Sequence, residues 1–129
     1  MRNLHAPSKS AAKPALAFSV ALLLWLAFGV GAADAHAFLD HAEPRVGNTV
    51  KSPRAVSLWF TQNLERGFCS VEVLDASGAR MNAGNAVVDG KLMRTQVKAL
   101  PAGTYTVKWH VLSVDTHTTE GNFTFTVSP

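Results

Sequence analysis

From residue 36 onward the sequence predicts an all-β fold, about seven short strands in a Greek-key β-sandwich or barrel. Three observations carry this. β-Branched, aliphatic and aromatic residues alternate with polar ones in short runs, so that side chains two apart share a face. Turn-forming Pro, Gly, Asn and Asp residues separate the runs at regular intervals. No stretch holds a helical apolar period through three turns.

Residues 1–35 are of another kind. Arg2, Lys9 and Lys13 form a basic opening, and Ala15 to Val30 is an apolar run without charge. The run is shorter than the ~20 residues that span a bilayer and leads into small residues rather than a basic flank. It therefore reads as a cleaved secretory signal rather than a retained anchor. Ala33-Asp34-Ala35 offers a cut before His36, and Ala35-His36-Ala37 offers one before Phe38. The residues alone allow both, and only the first leaves a chain that starts with histidine.

Cutting after Ala35 leaves residues 36–129, enough for one small domain. Three of the 12 Lys and Arg and one of the nine Asp and Glu fall in the signal, so the mature segment carries nine against eight, a net +1. Such a balance gives no footprint for nucleic acid or for an anionic membrane. Cys69 is the only cysteine, which excludes an intrachain disulfide; beside Ser70, Val71, Glu72 and Val73 it reads as a buried, inert thiol opening a strand.

In chain order the expected strands are His36 to His41, Ala55 to Phe60, Cys69 to Leu74, Ala86 to Val88, Leu92 to Val97, Thr104 to Leu112 and Asn122 to Val127. Pro44 with Gly47-Asn48, Ser52-Pro53, Ser77-Gly78, Asp89-Gly90 and Pro101-Ala102-Gly103 supply turns between them. The alternation is clearest in the sixth run. Tyr105, Val107, Trp109 and Val111 fall on one face, expected to be core with Trp59 and Phe60 opposite, while Thr106, Lys108 and His110 fall on the solvent face.

Between the last two runs lies Val114-Asp115-Thr116-His117-Thr118-Thr119-Glu120-Gly121. In an extended segment, residues two apart aim the same way, so Asp115 and His117 can direct an oxygen and a nitrogen at one point. That is half a metal site. A mature chain beginning at His36 supplies two more nitrogens, its α-amine and its imidazole. Three nitrogens and a carboxylate suit a tetragonal divalent ion, and Cu(II) heads the affinity order for such donors. Met81 and Met93 are not clustered, so no soft site for Cu(I) competes.

These segments resemble the CopC family of copper-binding proteins. The resemblance rests on His36-Ala37-Phe38-Leu39 with Glu43-Pro44-Arg45-Val46-Gly47, on Val56-Ser57-Leu58-Trp59-Phe60 with Gln62-Asn63-Leu64, and on two longer motifs, Leu100 to Trp109 and Ser113 to Gly121. It implies a periplasmic Ig-like or cupredoxin-like β-barrel, cleavage after Ala35, and one Cu(II) per chain held by His36, Asp115 and His117. It also implies transfer to a CopD-type inner-membrane partner. Two departures stand out: Gln62 occupies a position where some members place a glutamate near the copper, and the methionine-rich loop of some members is missing.

Three functions follow. A copper carrier or buffer fits best. A copper-dependent oxidative enzyme with an N-terminal histidine brace is disfavoured by the extra carboxylate, since catalysis needs an open position, and by the absence of an aromatic platform if Trp59, Trp109 and Tyr105 are core. A metal-free Ig-like interaction domain is the third.

Overall fold

The alternating runs form eight strands among the described residues: β1 (Leu39–Glu43), β2 (Thr49–Val50), β3 (Ala55–Phe60), β4 (Ser70–Leu74), β5 (Val87–Asp89), β6 (Leu92–Gln96), β7 (Gly103–Leu112) and β8 (Thr118–Val127). The computed structural model describes Asn3 and residues 37–129, so His36 and all of the expected signal except Asn3 lie outside the described residues. The strands make two four-stranded sheets, ordered β1-β3-β6-β5 and β2-β8-β7-β4. The chain changes sheet at β1 to β2, β2 to β3, β3 to β4, β4 to β5 and β6 to β7. This is the expected all-β sandwich.

The eighth strand is β2, a two-residue segment pairing in parallel with the end of β8. A run this short has no alternation to read, which is why seven were expected. The larger correction concerns β8. It begins at Thr118 rather than Asn122 and pairs with β7 along its whole length, from Thr118↔Leu112 to Gly103↔Val127. Its first half, Thr118 to Gly121, is polar or small. Glu120 and Thr118 face solvent, and Gly121 lies opposite Trp109, whose ring leaves no space for a side chain: a Cβ there would sit 2.5 Å from the indole.

The inner faces meet in a core built by period-two alternation. Val56, Leu58 and Phe60 of β3 and Met93 of β6 oppose residues of the other sheet that include Val73, Val107, Val111 and Phe125. Phe60 meets Trp109 edge to face at 5.1 Å, and Tyr105 stacks on Phe125 at 5.6 Å. The Tyr105 hydroxyl donates to the Pro101 carbonyl at 2.6 Å, pinning the turn before β7.

Trp59 departs from expectation. Adjacent residues on a strand point to opposite faces, so with Phe60 inside, Trp59 lies on the outer face, stacked against His41 at 4.4 Å. The His41 Nδ1 contacts Asp40 Oδ2 at 2.7 Å, and with a register shift in β1 between Leu39 and His41, Asp40 and His41 are both exposed. Cys69 precedes β4 rather than opening it and is half-buried. Its thiol lies 3.3 Å from the Glu65 carbonyl, and burial pushes its pKa up, which agrees with an inert thiol.

One polar residue ties the sheets together. Buried Asn82, between β4 and β5, accepts from the Val73 N–H at 2.9 Å and donates to the Val71 carbonyl at 3.0 Å and the Thr95 hydroxyl at 3.1 Å. Its side chain thus spans β4 and β6. Substituting Asn82→Leu strands these groups, and each buried group left unpaired costs about 1–3 kcal/mol. Urea unfolding should show a loss of at least about 2 kcal/mol with an unchanged slope; an unaltered midpoint would contradict the assigned role.

Candidate metal-binding site

The β7–β8 hairpin is closed by residues 113–117. The extended geometry expected for Asp115 and His117 is not what brings them together. The chain turns instead: the Thr116 N–H donates to the Ser113 carbonyl at 2.9 Å, Thr116 has φ 73°, and the Ser113 N–H donates to the His117 carbonyl at 2.9 Å. A left-handed non-glycine residue is unfavourable and is held here by the closed ladder on both sides.

Ser113 organises the turn from below. It is fully buried, its hydroxyl is hydrogen-bonded to Asp115 Oδ1, and the same oxygen lies 3.0 Å from the His117 carbonyl. The His117 N–H also reaches Asp115 Oδ1, at 3.3 Å. The other carboxylate oxygen, Oδ2, is shielded from water and has no hydrogen bond among the described residues; its neighbour is His117 Nδ1 at 3.3 Å. A shielded anionic oxygen beside an imidazole nitrogen is a donor pair suited to a cation. The Asp115 carboxyl titrates below the usual carboxylate range. The Ser113 hydroxyl is the largest cause, partial burial opposes it, and the His117 N–H and ring add to it.

The start of the described chain is fastened beside this loop. Ala37 is fully buried and its carbonyl accepts from the Thr119 hydroxyl at 2.6 Å, two residues beyond His117. Phe38 exchanges hydrogen bonds with Thr61, giving its N–H to the hydroxyl at 3.0 Å and accepting from the Thr61 N–H at 2.9 Å. The Val114 N–H donates to the Asn63 carbonyl at 3.0 Å. Residues 37–38, the turn after β3 and the 113–117 loop therefore share one end of the sandwich. Gln62 is half-buried in that turn.

Of the sequence-predicted ligands, Asp115 and His117 come together, and His36 lies outside the described residues. Among the described residues no cluster of three or more His, Cys, Asp or Glu is placed to hold an ion. His110 is exposed on the outer face of β7, paired with Ser70 and Glu120, as its face predicted. Sequence reasoning missed Ser113. A serine two residues before the aspartate can turn its hydroxyl onto the carboxylate, as Ser113 does, but that spacing is too common to single it out in a sequence.

The CopC domain model matches residues 39–128. Copper resistance protein C of Escherichia coli is 33% identical over 116 residues, covering 82% of this chain and 90% of that protein. The crystal structure of CopC from Methylosinus trichosporium OB3b superposes with a TM-score of 0.69 at 34% identity, over 73% of this chain and 95% of that one. PcoC, a methionine-rich copper resistance protein from Escherichia coli, superposes with a TM-score of 0.65 at 35% identity, over 73% of this chain and all of its own.

Because the Ser113 hydroxyl is the main stabiliser of the charged carboxylate, Ser113→Ala should raise the Asp115 pKa, measured by carboxyl-carbon NMR titration. A carboxyl depressed below its unfolded value, near ~3.9, adds stability above that pH and loses it as pH falls through the folded pKa. The variant should therefore lose less stability on acidification than the parent, and an unmoved Asp115 titration would contradict the assignment.

Proposed function

Because the chain belongs to the CopC family, we propose that it is a periplasmic carrier or buffer whose cargo is one Cu(II) ion, bound by His36, Asp115 and His117. Family membership makes it a copper-binding protein of copper resistance or transport, and not an enzyme. The oxidation state, the stoichiometry, the ligand set and a hand-over to a CopD-type inner-membrane partner are the proposal.

The observation that carries it is the water-shielded Oδ2 of Asp115, which receives no hydrogen bond among the described residues and lies 3.3 Å from His117 Nδ1. A cation supplies what that oxygen lacks. The third position follows from covalent reach: residue 36 is one peptide unit, ~3.8 Å between Cα atoms, from Ala37, whose carbonyl is fastened to Thr119. Processing after Ala35 makes His36 the first residue, with an amine and an imidazole free to chelate. The domain then runs from 36 to 129 and residues 1–35 are the discarded signal.

Cu(II) rather than Cu(I) is supported by the donor set. The thioethers that favour Cu(I) are committed elsewhere, since Met93 is fully buried in the core and Met81 packs against it. In this the chain differs from its methionine-rich relative. Gln62 adds no charge, so the set proposed here neutralises less of the ion's charge than one with a carboxylate there.

Competition titration of the processed protein with Cu(II) should saturate near one equivalent. His117→Ala removes a nitrogen donor and should weaken binding by more than about 100-fold, exceeding the 10–100-fold typical of groups that only support a ligand. Asp115→Ala should weaken it less, and His110→Ala should leave it unchanged. Equal losses for His110→Ala and His117→Ala would reject this ligand set.

A further inference from the structure

The near-neutral balance of the domain conceals a separation of charge along the sandwich. At the end carrying the 113–117 loop sit Asp40, Glu65, Asp89, Asp115 and Glu120, with only Arg66 and Lys91. At the opposite end sit Arg45, Lys51, Arg54, Arg80 and Lys98, with only Glu43 and Asp75. Glu72, Arg94 and Lys108 lie between. Five cations against two anions face five anions against two cations, across a domain whose total is nearly zero.

The basic end is a built surface. The Val97 N–H donates to the Arg54 carbonyl at 3.0 Å and the Lys98 N–H to the Met81 carbonyl at 2.9 Å, which sets these segments side by side. Arg54 and Lys98 flank an open groove of about 500 Å³ with Ser52, Pro53, Gln96 and Leu100. Lys98 and Arg80 border the next depression along. The ion pairs among the described residues, Asp40–His41, Arg66–Asp89 and Asp115–His117, all lie at the acidic end, so Lys51, Arg54, Arg80 and Lys98 are left uncompensated. Asp75, the nearby acid, is turned onto its own loop and accepts from the Ser77 and Ala79 N–H groups, both at 2.9 Å.

We infer that this basic end docks on an anionic phospholipid surface, with headgroup phosphates held between Arg54 and Lys98. Four cations without an ion pair, at one end of the sandwich, meet the charge density of an anionic bilayer, where each basic side chain near the surface contributes about 1 kcal/mol. The groove between them is lined by Pro53 and Leu100 among others and by no acid, so a headgroup seated in it touches no carboxylate. On the reading of Asp115 and His117 proposed above, the metal-binding end then points away from the lipid, since its own acidic residues are repelled by it.

The test is co-sedimentation of the processed protein with phosphatidylglycerol/phosphatidylethanolamine vesicles and with phosphatidylcholine vesicles, at low and high salt. Binding should be selective for the anionic vesicles and fall as salt rises. Arg54→Glu with Lys98→Glu should lower the partition at least about tenfold, while Arg66→Glu with Lys91→Glu, an equal charge change at the other end, should not. Circular dichroism establishes that both variants are folded, and Cu(II) titration of the Arg54/Lys98 variant separates this surface from the metal site. Equal binding to both vesicle types, equal loss in the two double variants, binding of inorganic phosphate without vesicle binding, or salt-sensitive self-association in place of vesicle binding would each overturn the inference.

Discussion

The turn that brings Asp115 and His117 together depends on the buried hydroxyl of Ser113. It sits where the β7–β8 ladder ends, fully buried and within reach of both the Asp115 carboxylate and the His117 carbonyl. A turn with a non-glycine residue in the left-handed region is not stable by its own preference. It persists here because the ten-residue pairing of β7 with β8 fixes both of its ends and Ser113 fixes its inside. Engaging Oδ1 also decides which carboxylate oxygen is left over. Oδ2 is shielded and without a hydrogen bond among the described residues, 3.3 Å from His117 Nδ1, so the loop's folding and the cation site proposed for it rest on one arrangement.

The core makes that arrangement rigid without taking part in it. Phe60 against Trp109 packs one sheet onto the other, Tyr105 against Phe125 stiffens the β7–β8 pair within its sheet, and Asn82 adds a directional tie from β4 to β6. Gly121 belongs to the same logic. The indole of Trp109 occupies the space of its missing side chain, allowing the first half of β8 to stay in the ladder and deliver His117 to the sandwich edge. Charge is sorted along the strands, so that one small domain carries an acidic end around the 113–117 loop and a basic end opposite it.

Legibility in the sequence followed side-chain alternation. Tyr105 to Val111 alternates cleanly and its inward face was correct, as was His110 on the outer one. Residues 118–121 lack that signal, because a half-exposed edge carrying threonines, a glutamate and a glycine looks like loop until its partner strand is known. The same reasoning that buried Phe60 should have placed Trp59 outside; aromatic size overrode the period in that expectation, whereas the structure covers the ring with His41. Asp115 and His117 were recognisable by type and spacing, but the turn joining them was not, since a left-handed Thr116 has no sequence signature. The polarity of the domain was hidden for a different reason: net charge sums over a molecule, and only topology tells which loops share an end.

The account's central claim is that the first residue of the mature chain completes the Asp115–His117 pair. The most direct measurement is the Cu(II) electron paramagnetic resonance spectrum of protein starting at His36, compared with protein carrying one extra residue ahead of it. An α-amine has an unperturbed pKa of ~7.7 to 8.0 and must lose its proton to bind, and the added residue moves that amine out of chelating position while keeping every side chain. The account predicts a tetragonal, nitrogen-rich spectrum at one equivalent for the authentic protein, and an altered spectrum with much weaker binding for the extended one. Identical spectra and identical affinities would contradict it and send the search for ligands to His41, His110 and His117.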